Sequence, residues 1–434
     1  MNVLKKRWGY LAAAVLILLF AGIGYAFSLF VGAIEQDLGL TRADTSLVFT
    51  LCFICFASGS LVTGFLLRRI SPRFLLRVGA VMIGTGFLMS ARATQLWQLY
   101  FTYSICCGFS IGIAYNVMIS MIPLFFHDKV GLATGILLMG FAMSTTVLGP
   151  FCQMGMSAFG WRGVFLALGL CEAAAFLVGS IVIHAPSGAE AGELAQREKV
   201  LMQQAEVLAN REKAVAQAAV CNLAEAERTF TPPDFSPCAM IRMKSFYVFI
   251  AIYISIGGVG MAFINHGAMT LQEDLSQSLA LSTLIVGAVC MFNGIGRVLW
   301  GVVYDHIGSA SSLRYLGVLL VLALGAVLGS LSTNSVWLFA LGMALVMFCY
   351  GGSSSLAPII VRALFGDNYF SANFAITNIG TMILSSVPAL IGMIQMQTGS
   401  YMVPYILLSA FAAVSFFMAI LYRKVTEWEL GHVC

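Results

Sequence analysis

In the run Phe292-Asn293-Gly294-Ile295-Gly296-Arg297-Val298-Leu299-Trp300-Gly301 an arginine stands inside an apolar stretch. A guanidinium stays charged at every physiological pH and is costly near a bilayer centre, so it survives where it faces a cavity, a partner or an anionic ligand. Asn293 lies one helical turn earlier on the same face. Together, Asn293 and Arg297 offer a fixed positive charge beside an amide that both donates and accepts, which is the chemistry of a small-anion site. Three further polar groups stand in other apolar stretches: Tyr25, Tyr115 and Asn116. Asn116 needs a partner at membrane depth, either a neighbouring helix or a substrate, and Tyr25 suits a cavity wall or a helix interface equally. Glu172 is the one carboxylate near the middle of an apolar stretch. It is a proton-coupling candidate by default, while a neutral or hydrogen-bonded acid tucked against a neighbouring helix is the plainer reading.

Such residues need helices around them, and the composition supplies these. The chain has 434 residues, 60% of them hydrophobic and 10% charged, which excludes a water-soluble globule with an ordinary polar surface. Twelve apolar windows of membrane-spanning length fall near 8–34, 46–67, 74–91, 96–122, 131–156, 162–184, 246–270, 280–303, 313–331, 335–361, 371–396 and 401–422. The expected fold is an all-α integral membrane protein of twelve helices, two six-helix halves around a central cavity. The first window follows Lys5-Lys6-Arg7 directly and is too long for the apolar core of a cleaved signal, so it is read as a retained span. With the amino terminus inside, 19 of the 23 Lys and Arg residues fall in cytoplasmic segments, and only Arg42, Arg92 and Arg162 lie opposite, with Arg297 left in the membrane. That asymmetry predicts a multi-pass protein of the plasma (inner) membrane with both termini cytoplasmic. The net charge of +4 then reflects topology and does not suggest nucleic acid. The eleven cysteines scatter without metal-like grouping, and the histidines sit near span ends or in loops. We expect no metal, no cofactor and no redox enzyme. Membrane lipid and a small carboxylate are the expected partners, and a monomer the expected state.

Three domains follow: a bundle over 1–184, a cytoplasmic linker over 185–244 and a second bundle with a short tail over 245–434. The bundles read as diverged copies at an offset of 237 residues, which matches Gly59 to Gly296 and Gly64 to Gly301, and places Ser60 where Arg297 stands. Repeats of this kind are what an alternating-access transporter predicts, and here only the second copy supplies the charge. In the linker, Leu194, Leu201, Leu208 and Val215 recur at seven-residue spacing, which predicts a solvated charged helix. Glycines at 131, 135 and 140 predict close helix packing, and Pro150 a kink. Tyr350-Gly351-Gly352-Ser353-Ser354-Ser355 could unwind its helix locally or let two helices approach. The eleventh window contains no Lys, Arg, Asp, Glu or His, so a second fixed charge is missing.

Several segments resemble the oxalate/formate antiporter family of the major facilitator superfamily, itself similar to the monocarboxylate transporters. They are Tyr25-Ala26-Phe27-Ser28-Leu29-Phe30-Val31, Tyr115-Asn116, Gly131-Leu132-Ala133-Thr134-Gly135, Gly160-Trp161-Arg162, Asn293-Gly294-Ile295-Gly296-Arg297 and Asn373-Phe374. The resemblance implies the twelve-helix fold, a central cavity and carboxylate transport by rocking between inward- and outward-open states. In oxalate-transporting members, an arginine matching Arg297 acts with a lysine of span 11; the nearest position here is about Ser385. One carboxylate per ligand therefore fits one arginine. Where the monocarboxylate transporters have an aspartate one turn before the arginine, Asn293 stands, and an amide cannot titrate. The family's gating motif has an acid four residues after its glycine. Gly301-x-x-x-Asp305 keeps the pattern, whereas the copy after span 2 has Arg68. We expect a secondary transporter of small organic anions, monocarboxylates first, leaning to exchange. The alternatives are a cation or drug exporter of the same fold using Glu172, and a membrane sensor signalling through the linker helix.

Overall fold

The computed structural model describes residues 3–23, 27–188, 190, 192–193 and 234–433. Tyr25 and the heptad stretch at 194–215 lie outside them. All regular structure among the described residues is helical, and besides the short turns His127–Lys129 and Pro237–Met240 the helices are α1 (Val3–Ala21), α2 (Phe27–Leu38), α3 (Arg42–Leu66), α4 (Pro72–Ser90), α5 (Leu96–Phe125), α6 (Val130–Ala142), α7 (Ser144–Val182), α8 (Lys244–Glu273), α9 (Leu279–Thr333), α10 (Val336–Phe365), α11 (Phe370–Thr398) and α12 (Met402–Val433). The starts follow local chemistry. At α3 the Thr41 hydroxyl accepts the Asp44 N–H while the Asp44 carboxylate accepts the Thr41 N–H, which forms a capping box. At α4, Ser71 caps and Pro72 occupies the first turn.

Nine helices among the described residues are long and apolar enough to cross a membrane. Two of these rods fold back on themselves. Cys349 of α10 reaches the Leu316 carbonyl at 3.9 Å, while a Cβ on Gly296 would lie 2.4 Å from the neighbouring Phe348 carbonyl. Residues 296 and 316 of one straight helix would stand about 30 Å apart. The reversal falls at Gly308, whose φ of 74° and ψ of −178° lie outside the helical region and favour glycine. In α7 the corner is Gly160, with φ 67° and ψ 174°. On either side of it, Gly149 and Phe165 meet Leu29 and Phe30 of α2. Each of these two rods therefore supplies two crossings. The single window at 8–34 is covered by two described helices, Val3–Ala21 and Phe27–Leu38; residues 24–26 between them lie outside the described residues.

Packing preserves the internal repeat. A Cβ on Gly112 would meet the Phe56 carbonyl at 2.2 Å and the Ser60 nitrogen at 2.6 Å, and one on Gly351 would meet the Asn293 carbonyl at 2.1 Å and the Arg297 nitrogen at 3.1 Å. The contacted positions are related by the same 237-residue offset, so α3 against α5 and α9 against α10 are one helix crossing used twice. The glycine-serine run of α10 does not unwind: helix is continuous from Val336 to Phe365, and Gly351 and Gly352 are consumed by close approach to Asn293 and Trp300. The interruption near Pro150 sits instead at Met143, where α6 ends and α7 begins. The irregular span is α11, whose helical pieces end at Thr377, Leu384 and Thr398.

The halves meet along two seams, α6 with α9 and α3 with α11. Backbone touches backbone in both: a Cβ on Gly131 would fall 2.0 Å from the Gly301 carbonyl, and one on Gly64 would fall 2.4 Å from the Ser371 carbonyl. Both seams close at the end of the bundle that carries the basic turn 68–73.

Candidate functional site

Arg297 projects from α9 into the α6/α9 seam and is 5% exposed. Its Nε donates to Asn293 Oδ1 at 3.3 Å, and its Nη1 donates across the seam to the Leu138 carbonyl at 3.0 Å. That carbonyl lies in the last turns of α6, which stops at Ala142, and the carbonyl end of a helix attracts a cation. Among the described residues Nη2 finds no acceptor and no carboxylate pairs with the guanidinium. A buried guanidinium with one nitrogen still to satisfy is suited to a carboxylate, which accepts charge-assisted bonds from it.

The walls around it are aromatic and neutral. Tyr115 of α5, Tyr253 of α8 and Tyr350 of α10 all lie within electrostatic reach of Arg297. The Tyr115 ring packs against Phe56 and Phe141 at 5.2 and 5.1 Å and faces Phe374 of the other half at 6.4 Å. Tyr350 donates to the Met261 sulfur at 3.6 Å, and the Tyr253 hydroxyl meets Thr381 Oγ1 at 3.1 Å. The sequence does not single out Tyr253, and it marks Tyr350 only as the first residue of the glycine-serine run. Tyrosine in an apolar run carries no charge to mark it, and only the converging helices reveal them.

From Tyr253 a hydrogen-bonded chain crosses between the halves. Thr381 donates to Asn378 Oδ1 at 2.9 Å, and Asn378 Nδ2 donates to Ser60 Oγ at 3.4 Å. Asn116 Nδ2 donates to the same Ser60 oxygen at 3.1 Å, and its Oδ1 accepts Ser120 Oγ at 3.2 Å. Ser120 in turn accepts Ser371 Oγ at 2.8 Å. Asn116 therefore has protein partners on both ends of its amide. Ser60, the counterpart of Arg297, is the hub of this chain, so the same position in the two copies is a cation on one side and a neutral junction on the other.

The residues expected at the gate flank the closed ends of the seams. Asp305 accepts the Gly131 and Leu132 N–H groups at 2.8 and 2.9 Å, at the first turn of α6. Gly301 is the backbone contact beneath it. Arg68 lies over the Tyr369 ring at 4.3 Å, just before α11. Glu172 stands elsewhere, in the core of the first half. It is fully buried beside the π-helical stretch Tyr100–Cys107, and neither carboxyl oxygen has a partner among the described residues. Cys52, Tyr103, Cys107 and Cys152 are in its electrostatic range. Arg7, which in the sequence is only a topology signal, is 5% exposed and donates to Asp128 through both Nη nitrogens, at 2.5 and 3.0 Å. Among the described residues no cluster of three or more His, Cys, Asp or Glu could hold a metal ion.

The family model described as Major Facilitator Superfamily matches residues 11–328. The chain belongs to the Major Facilitator Superfamily. It is 24% identical over 380 residues to the oxalate:formate antiporter of Oxalobacter formigenes, covering 86% of this chain and 81% of that protein. Human monocarboxylate transporter 12 is 31% identical over 134 residues, 31% of this chain but 25% of the transporter's length. Among solved structures, a proton:xylose symporter bound to 6-bromo-6-deoxy-D-glucose superposes with a TM-score of 0.70 at 13% identity, covering 97% of this chain and 96% of that one. FucP in the outward conformation gives 0.63 at 11% identity, covering 95% and 98%. This is therefore a multi-pass membrane transporter of the superfamily, with the twelve-helix fold expected from the hydropathy windows.

Proposed function

We propose that the protein carries small organic anions, monocarboxylates in particular, across the membrane by alternating access, and that it works by exchange. The observation that carries the reading is the Arg297 guanidinium: buried, without a carboxylate among the described residues, and with Nη2 lacking an acceptor. The similarity to the oxalate:formate antiporter supports the ligand class. A substrate carboxylate binds Arg297, Asn293 holds the guanidinium in place through its carbonyl oxygen, and Tyr115, Tyr253 and Tyr350 form the surrounding wall. Asn116 acts through Ser60 to tie the wall to the opposite half, and Tyr25 contributes from the first span. Gly301, Asp305 and Arg68 act at the gate. The bundles 1–184 and 245–434 rock about this site, and the 185–244 linker joins them on the cytoplasmic side, where both termini also lie. The basic turns orient the protein in the plasma (inner) membrane, in which it works as a monomer.

Uptake of labelled carboxylates into proteoliposomes tests this directly. Leaving a buried ionic partner unmatched costs about 3–5 kcal/mol, so Arg297→Gln is expected to lower uptake by at least about a hundredfold. Arg297→Lys keeps the charge without the planar fork and falls between. Uptake indifferent to Arg297 overturns the anion site. In the same assay Glu172→Gln separates the cation-exporter reading, which requires that carboxyl, from ours, in which transport survives its loss.

A further inference from the structure

The two seams are related by the repeat but are not capped alike. On the α6/α9 side, Asp305 holds the first turn of α6 through the Gly131 and Leu132 N–H groups. One repeat earlier, 305 − 237 = 68, the residue is arginine, and it stacks on Tyr369. The turn after α3 thus brings a cation to the start of α11, whereas the counterpart position in α9 brings a carboxylate to the start of α6. A carboxylate is nevertheless bound there, and it comes from the linker.

Asp234 Oδ1 accepts the Asn368 backbone N–H at 3.0 Å, and its Oδ2 accepts the Asn368 side-chain amide. The next residue continues the attachment: Phe235 N–H donates to the Phe365 carbonyl at 3.0 Å, and Asn373 Nδ2 donates to the Phe235 carbonyl at 3.0 Å. Gly366, at φ +82°, leaves room for the arrangement, since a Cβ there would stand 2.3 Å from Asp234 Oδ1. The nearby Asp367 is engaged otherwise, in an ion pair with Arg362 at 2.5 Å. Residues 234–235 are therefore fastened to the end of α10, the turn and the first helical residues of α11. The same residues of α11 make the seam: Ser371 donates to Ser120, and its carbonyl is the surface on which Gly64 rests.

We infer that Asp234 is the positioning residue of the α3/α11 gate, a linker-borne carboxylate that fixes the start of α11 where the repeat has lost its acid to Arg68. The inference rests on the alternating-access reading. It makes the gate asymmetric: Asp305 holds the α6/α9 seam, whereas the α3/α11 seam, where Arg362 Nη2 donates to the Ser120 carbonyl at 3.2 Å, is held in addition by the end of the linker. Movement of the linker end is then transmitted to the α3/α11 seam.

Ser120, 2% exposed in the closed seam, reports the state of that gate. In full-length protein carrying S120C, alkylation by an impermeant maleimide added at the basic end is followed by mass spectrometry of the Ser120 peptide, which scores native Cys238 and Cys171 separately. Loss of a backbone cap is expected to raise the alkylation rate about fivefold in Asp234→Ala, with Asp234→Asn and Asn368→Ala intermediate. Gel-filtration profiles matching wild type identify the variants that remain folded, and the two milder substitutions serve if Asp234→Ala does not. Asp305→Asn is the reference for an opened seam. Unchanged alkylation in the folded Asp234 variants overturns the inference. If Asp305→Asn accelerates the reaction while they do not, alternating access stands and this assignment falls; the anion reading is untouched either way, because the assay contains no substrate.

Discussion

A charge in hydrocarbon is conspicuous, and Arg297 could be found from the sequence because nothing else in its window explains it. Its neutral surroundings could not. Ser60 is one serine among many in the chain, yet its oxygen accepts from both Asn116 and Asn378, joining α3, α5 and α11. The 237-residue offset identified Ser60 as the mate of Arg297 but gave no hint of this role, since hydrogen-bond partners on distant helices leave no periodicity. Replacing Ser60 by alanine would strand two buried amide donors, each costing about 1–3 kcal/mol when unsatisfied. Ser60→Ala is therefore expected to lower the unfolding temperature in detergent by several degrees, with Ser60→Thr much closer to wild type. Equal temperatures for Ser60→Ala and wild type would mean that the hub contributes nothing.

Helices and their crossings were the most legible scale. Window length, the basic turns and the glycine spacing predict twelve spans and their repeat, and the backbone positions on which Gly112 and Gly351 pack are related by that repeat. What the windows could not give was where rods break. Gly160 and Gly308 look like any other glycines until their positive φ is seen, and Pro150, the more suspicious residue, sits inside continuous helix. The motif Gly131-Leu132-Ala133-Thr134-Gly135 reads as helix packing, and the structure specifies against what: Gly131 meets Gly301, and Gly135 meets the Arg297 carbonyl at 2.4 Å from a built Cβ. The packing motif therefore sets the position of Arg297, the centre of the proposed anion site. Inserting a methyl into such a contact costs about 1–3 kcal/mol. Gly131→Ala and Gly135→Ala are each expected to reduce the closed population of the α6/α9 seam about tenfold or more. Carboxylate exchange should slow accordingly, while Gly32→Ala, where a Cβ meets nothing, serves as the matched control. Exchange at the wild-type rate in both seam variants would show that the contact is not rate-setting.

For the molecule as a whole, the decisive feature is that the arginine proposed to bind the anion itself makes one of the bonds holding the halves together. Nη1 of Arg297, in the second half, donates to the Leu138 carbonyl of the first, within a seam that closes below it at Gly131, Gly301 and Asp305. Opening the basic end separates α6 from α9 and removes that acceptor. In an empty carrier the guanidinium then loses a charged hydrogen bond, worth about 1.5–3 kcal/mol, with nothing to replace it. A bound carboxylate supplies new acceptors in the same step and offsets the loss. The loaded protein should therefore cross between its two states about ten- to a hundredfold faster than the empty one. This is the behaviour of an exchanger, and it arises without a titratable partner for Arg297, consistent with Asn293 standing beside it. Proteoliposomes preloaded with labelled carboxylate should release it at least about tenfold faster into medium containing unlabelled carboxylate than into medium without it. Equal efflux in the two media would show that the empty carrier returns unhindered, and the coupling assigned to the Arg297–Leu138 bond would have to be abandoned even if Arg297 still proved essential for binding.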